Sequence, residues 1–328
     1  MKATLLLSAC LAVTAVAQDF PALDQRLTNY DYPFEVQMHA FASQGQDLEM
    51  AYMDVKPESP NGKAVLLLHG KNFSGAYWEK TANLLAKEGF RVIIPDQIGF
   101  GKSSKPLAFQ YSFQELCTDT KGLLDELQIP GVSVVGHSMG GMVATRFVLM
   151  FPERCEKLVL ANPIGLEDWK RMVPYQPIEE AVAAEMKKDP EAVKSYMSQA
   201  YFDGKWDEAW NDLLAIQAGW TKGADKEHMA RISAITADMI FTQPVLYEFP
   251  DITVPTLLII GERDRTAIGK NRADAKTAEK MGLYDRLGQK TANAIPNSTY
   301  VALPGIGHVP QVEAFPQYAK ALVGFLEK

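Results

Sequence analysis

Apolar runs bounded by turn residues and separated by stretches of helical period constrain this chain more than any other feature. They are Ala64–Leu68, Val92–Ile94, Val132–Val135, Leu158–Leu160 and Thr256–Ile260, with a shorter one at Thr299–Leu303. Strands without polar alternation are those covered on both faces. Helical periods fill the intervals at about 77–88, 112–127, 139–151, 271–283 and 310–327. Strand alternating with helix in this way predicts an α/β fold built on a mostly parallel, doubly wound sheet. Upstream, Phe34–Phe41 and Leu48–Val55 alternate with period two around Gly45, which predicts an antiparallel hairpin at one edge.

The alternation stops between residues 166 and 250. This stretch holds Trp169, Trp206, Trp210 and Trp220, four of the five tryptophans, and has helical stretches but no clear strand. It reads as a helical cap, 166–250, inserted into a core formed by 18–165 and 251–328. Most of its aromatics are expected to pack the cap itself, and a few to face a pocket beneath it.

Residues 1–17 resemble an address rather than a structural element. Lys2 gives a positive start, Ala3–Thr14 is almost wholly apolar, and Ala15-Val16-Ala17 has the small-x-small pattern of a signal-peptidase site. The expectation is a signal peptide, with Gln18 opening an exported chain, periplasmic or secreted. Leu7-Ser8-Ala9-Cys10 offers the letters of a lipoprotein box, but too few residues precede Cys10 for a full apolar core. No later segment is long and apolar enough to span a bilayer. The net charge is −7 with no basic run, which argues against nucleic acid or anionic lipid as a partner. The expected partner is a small-molecule substrate. Cys117 and Cys155 fall at core-facing positions without metal-ligand spacing, so buried free thiols are expected and no metal.

The chemistry centres on Gly136-His137-Ser138-Met139-Gly140-Gly141, which follows an apolar strand and opens a helix. A serine is a weak nucleophile unless it is exposed beside a base, and a sharp strand-to-helix turn exposes it. Of five histidines, His308 alone follows the final strand on a loop returning to the carboxyl ends of the strands, where catalytic groups of open α/β sheets gather. Its acid partner is expected at Asp264, after strand 256–260, with Glu262 as runner-up. Two backbone N–H groups must face a developing oxyanion. Met139 supplies one; the other comes from His69-Gly70-Lys71-Asn72, with Lys71 favoured, Asn72 the near alternative, and the Lys71 side chain expected in solvent. Gly99-Phe100-Gly101-Lys102-Ser103 lacks the first glycine of a phosphate loop, since residue 96 is Asp, and reads as a turn.

His69-Gly70 followed by Trp78, the stretch Pro95–Ser103, the Ser138 turn, Gly261-Glu262-Arg263-Asp264 and Gly307-His308 together resemble the capped α/β-hydrolase superfamily. The resemblance covers roughly 45–165 and 251–328. It implies the α/β-hydrolase fold, a Ser/Asp/His triad and no cofactor. Members with epoxide hydrolase or haloalkane dehalogenase activity carry Asp where this chain has Ser138, which argues against those activities. The segment from Asp264 to His308 is longer than the superfamily commonly shows. The expected activity is carboxylic-ester hydrolysis on an apolar acyl or aromatic ester. A carbon–carbon bond hydrolase, an amidase or a lactonase uses the same triad, and a non-catalytic small-molecule binding protein is the alternative of a different class.

Overall fold

The computed structural model describes residues 19–328. The expected signal segment and the start at Gln18 lie outside them. Eight strands form one sheet: β1 (Val36–Ser43), β2 (Gln46–Val55), β3 (Ala64–Leu68), β4 (Arg91–Pro95), β5 (Val132–His137), β6 (Cys155–Ala161), β7 (Thr256–Gly261) and β8 (Ser298–Leu303). The order across the sheet is β1-β2-β4-β3-β5-β6-β7-β8. β1 and β2 form the expected antiparallel hairpin, β2 meets β4 antiparallel, and the remaining pairs are parallel.

Helices α1 (Glu79–Lys87), α2 (Phe113–Glu126) and α3 (Met139–Met150) connect the strands up to β6. Successive residues of the central strands enter opposite cores. Leu66, Leu68, Val134, Leu258 and Ile260 join one apolar cluster, whereas Val65, Leu67, Val135, Leu257 and Ile259 join the other. This is why the strands read as unbroken apolar runs: both faces are covered.

Between β6 and β7 the chain forms α4 (Ile178–Met186), α5 (Pro190–Phe202), α6 (Asn211–Lys222) and α7 (Lys226–Thr242), with no strand. Phe202 stacks on Trp210 and meets Trp206 edge-on, so these aromatics pack the cap. Residues before β1 lie across this cap as a strap. Leu23 N–H donates to the Gly219 carbonyl at 3.1 Å, Trp220 Nε1 donates to the Asp24 carbonyl at 3.0 Å, and Lys222 pairs with Asp19. Arg26 then ties the strap to Glu49 on β2 at 2.7 Å.

Two expected helices are divided. The period at 271–283 yields only α8 (Ala275–Ala278), and the main helix is α9 (Tyr284–Ala294). Asp274 caps the short turn through Thr277 N–H, and Gly282 at φ 69° lies between that turn and α9. A side chain at Gly282 would also meet the Arg265 carbonyl at 2.7 Å, so the chain must turn there on glycine. At the C-terminal end, α10 (Pro310–Glu313) and α11 (Phe315–Leu326) replace one helix. Pro316 lacks an N–H and restricts the backbone before it. Cys117 and Cys155 are free and buried.

Candidate active site

β5 delivers Ser138 on a strained turn, with φ 56° and ψ −122°. A non-glycine residue there is held only by its surroundings, and the surroundings are tight. A Cβ at Gly136 would stand 2.2 Å from the Gly140 carbonyl oxygen, and one at Gly140 would stand 2.1 Å from that of Leu68. The flanking glycines let β5, α3 and β3 close around the serine.

β7 delivers Asp264 and the loop after β8 delivers His308, both fully buried. His308 Nε2 lies 2.9 Å from Ser138 Oγ, and Nδ1 lies 2.7 Å from Asp264 Oδ2. An ionised carboxylate can only accept, so Nδ1 carries the hydrogen and Nε2 is left to accept from the serine hydroxyl. Burial pushes the Asp264 carboxyl up. The attraction of His308, its hydrogen bond and those from Thr266 outweigh that and hold the carboxyl below its usual value. Such an arrangement can withdraw the serine proton as the oxygen attacks and stabilise the resulting imidazolium. Glu262, the runner-up acid, forms no hydrogen bond or ion pair with His308.

Sequence reasoning missed three supporting residues. Asn162, just past β6, accepts from Gly261 N–H at 2.7 Å and donates to Asp264 Oδ2 at 3.1 Å. It obeys the same rule that found Asp264, a polar residue at the carboxyl end of an apolar run. The His137 ring, turned from the Ser138 hydroxyl, braces His308. Nε2 donates to the His308 carbonyl at 2.8 Å, while Nδ1 accepts from Tyr77 hydroxyl at 2.9 Å. Burial and the neighbouring His308 keep His137 neutral, its pKa well below the usual histidine value. From the cap, Tyr201 stacks on His308 with ring centroids 4.6 Å apart, and its hydroxyl accepts from Asn72 Nδ2 at 2.8 Å. No sequence signal marks Tyr201, because the contact joins residues 107 positions apart.

The Lys71 and Met139 backbones flank Ser138. Met139 opens α3 directly after Ser138, and the Lys71 loop abuts it: a Cβ on Gly70 would stand 3.0 Å from that of Ser138. Neither N–H donates to another protein group among the described residues. The Lys71 side chain departs from expectation. Instead of entering solvent it rises into the cap, where Nζ donates to Ser233 Oγ on α7 at 2.8 Å. The path of the loop past Ser138 aims it there, a direction that spacing alone does not encode.

Ser138 opens onto a cavity of about 760 Å³ between core and cap. Its walls include Tyr196, Tyr201 and Trp220, the few cap aromatics that face the pocket. Among the described residues no helix is long and apolar enough to cross a membrane. No cluster of three or more His, Cys, Asp or Glu among them is placed to hold a metal ion.

The comparisons with known proteins agree with this architecture. The family model described as alpha/beta hydrolase fold matches residues 63–315. A probable hydrolytic enzyme from Pseudomonas aeruginosa PAO1, known by crystal structure, is 46% identical. It superposes with a TM-score of 0.92 over 94% of this chain and 99% of that one. A putative non-heme chloroperoxidase of Synechocystis is 30% identical over 62% of this chain and 75% of its own length. The 2-hydroxy-6-oxo-2,4-heptadienoate hydrolase of Pseudomonas putida is 32% identical, over 32% of this chain and 39% of that enzyme. From its fold and these matches, the chain belongs to the α/β-hydrolase family and is a hydrolase.

Proposed function

We propose that the chain is a serine hydrolase that cleaves a carboxylic ester through an acyl-enzyme. Ser138 attacks the ester carbonyl while His308 takes its proton, and Asp264 holds the imidazole tautomer and balances its charge. The tetrahedral oxyanion settles between the N–H groups of Met139 and Lys71. His308 then protonates the leaving alcohol, and water, activated by the same histidine, releases the acid. The observation that carries this reading is the Ser138–His308–Asp264 chain of hydrogen bonds, 2.9 and 2.7 Å, opening on the cavity under the cap. Residues 1–17 direct export, and Gln18 begins the mature chain. N-terminal sequencing of protein from a periplasmic or culture fraction checks this.

The test is hydrolysis of p-nitrophenyl esters from acetate to palmitate by wild type and Ser138→Ala. Turnover should fall by roughly 10⁴- to 10⁶-fold in the variant, the usual effect of deleting such a nucleophile. The chain-length optimum then sizes the cavity. Folded wild-type protein that turns over no ester sinks the ester reading and leaves the carbon–carbon and amide substrates of the same machinery.

A further inference from the structure

The cavity under the cap is charged in a way the rest of the molecule is not. The chain as a whole carries a net charge of −7. Yet the cavity walls set Lys71, Lys188, Lys226, Arg265, Lys270 and Arg272 against one carboxylate, Glu185. Five of these cations already have oxygen partners from the protein. Lys188 pairs with Glu185 at 2.6 Å, and Lys226 donates to the Lys188 carbonyl at 2.9 Å. Arg265, Lys270 and Arg272 each donate to backbone carbonyls.

Lys71 is set apart by its place, with its backbone beside Ser138. Its amine donates to Ser233 Oγ, and the Glu185 carboxylate near it is already paired with Lys188. Burial, opposed by the Glu185 carboxylate and aided by the Lys188 charge, brings the Lys71 amine down to about 8. At neutral pH it is still mainly an ammonium. One carboxylate shared by two ammoniums leaves an excess of positive charge in the cavity, which a substrate anion offsets where an alkyl chain cannot. The side chain also has the right reach. It leaves the backbone beside the nucleophile and ends on α7, so it runs from the reacting end of the cavity to its roof.

We propose that Lys71, assisted by Ser233, anchors a carboxylate on the substrate, and that the preferred ester therefore carries an anionic group at its far end. This refines the apolar substrate expected from the cap's aromatics, and it rests on the ester reading above. Monoesters of short dicarboxylic acids have the required chemistry: a scissile carbonyl at one end and a carboxylate a lysine's length away.

The experiment compares monoethyl succinate, glutarate and adipate with neutral ethyl esters of matched length, with acid release followed by pH-stat. Wild type should favour the charged series in kcat/KM by about 10- to 100-fold, the worth of a charge-assisted hydrogen bond. Lys71→Met should remove that ratio and Lys71→Arg should restore much of it. The wild-type ratio should also fade as pH rises past about 8, where the amine loses its charge. A wild type that prefers neutral esters, or a charged preference that survives Lys71→Met, overturns the proposal. Calorimetry of monoethyl adipate and diethyl adipate on Ser138→Ala separates the two claims. If no ester turns over yet the monoester binds tighter in a Lys71-dependent way, the ester reading fails and the anion anchor stands. Equal binding of the two removes the anchor.

Discussion

The floor and the roof of the cavity are built on different principles. On the floor, Ser138, Asp264 and His308 sit at the ends of buried strands, and Asn162 and His137 fix them through further buried hydrogen bonds. The roof is four helices inserted between two strands. It meets the floor through a shared apolar cluster and through long-range contacts that include Tyr201 on His308, Asn72 with Tyr201, Lys71 with Ser233, and the strap of residues 19–26. Chemistry is thus set by backbone geometry that local sequence dictates, whereas recognition is set by contacts between distant segments.

The sharpest way to break this contrast is at Asp264. Asp264→Asn should keep the fold and lower kcat by about 10⁴-fold, because an amide beside Nδ1 favours the wrong imidazole tautomer. Glu262→Gln should change kcat little, since it makes no bond to His308. Steady-state kinetics on one ester decides between them. If the loss follows Glu262, the floor is assigned wrongly.

The strap tests the roof. Leu23 is buried against Gly219, whose added Cβ would meet Leu23 Cδ1 at 2.5 Å. Leu23→Ala should weaken strap docking by about 2–3 kcal/mol, the lower range for truncating a buried leucine. Hydrogen exchange should quicken in α6 while β5 and β7 stay protected. Equal loosening of roof and floor would show one cooperative unit rather than two.

A smaller effect is expected at His137. His137→Phe keeps a buried ring but leaves the His308 carbonyl and Tyr77 hydroxyl without their partner. If these bonds position the base, kcat should fall by about tenfold, an energy of one buried hydrogen bond, with KM nearly unchanged. A rise in KM alone would make His137 a structural residue of the pocket.

The same division explains what could be read in the sequence. β3, β5 and β7 were legible because strands covered on both faces must be apolar throughout. The turn at Ser138 was legible because no other residue pattern fits so closely between β3, β5 and α3. Asp264 and His308 followed from the rule that polar groups gather at carboxyl ends. Applied once more, that rule would have found Asn162. Helical period failed at 271–283, where it cannot see that Gly282 lies against the Arg265 carbonyl. It could not reveal the strap, nor that the Lys71 amine ends on Ser233, 162 residues away.

The smallest prediction bears on how the strap holds the roof. Trp220 lines the cavity with its ring while Nε1 donates to the Asp24 carbonyl at 3.0 Å. Lys105 Nζ also lies 5.6 Å from the ring centroid. Trp220→Phe removes the donor and keeps an aromatic face, so the change should cost about 1 kcal/mol, the net worth of one hydrogen bond. Because Leu23 and Trp220 grip the same strap, their effects should couple. In a double-mutant cycle read by α6 exchange, the pair should cost less than the sum of the single losses, since a strap already released cannot be released again. Strict additivity would mean that each contact holds the cap independently. The strap would then be two separate attachments rather than one latch over the pocket where the substrate is chosen.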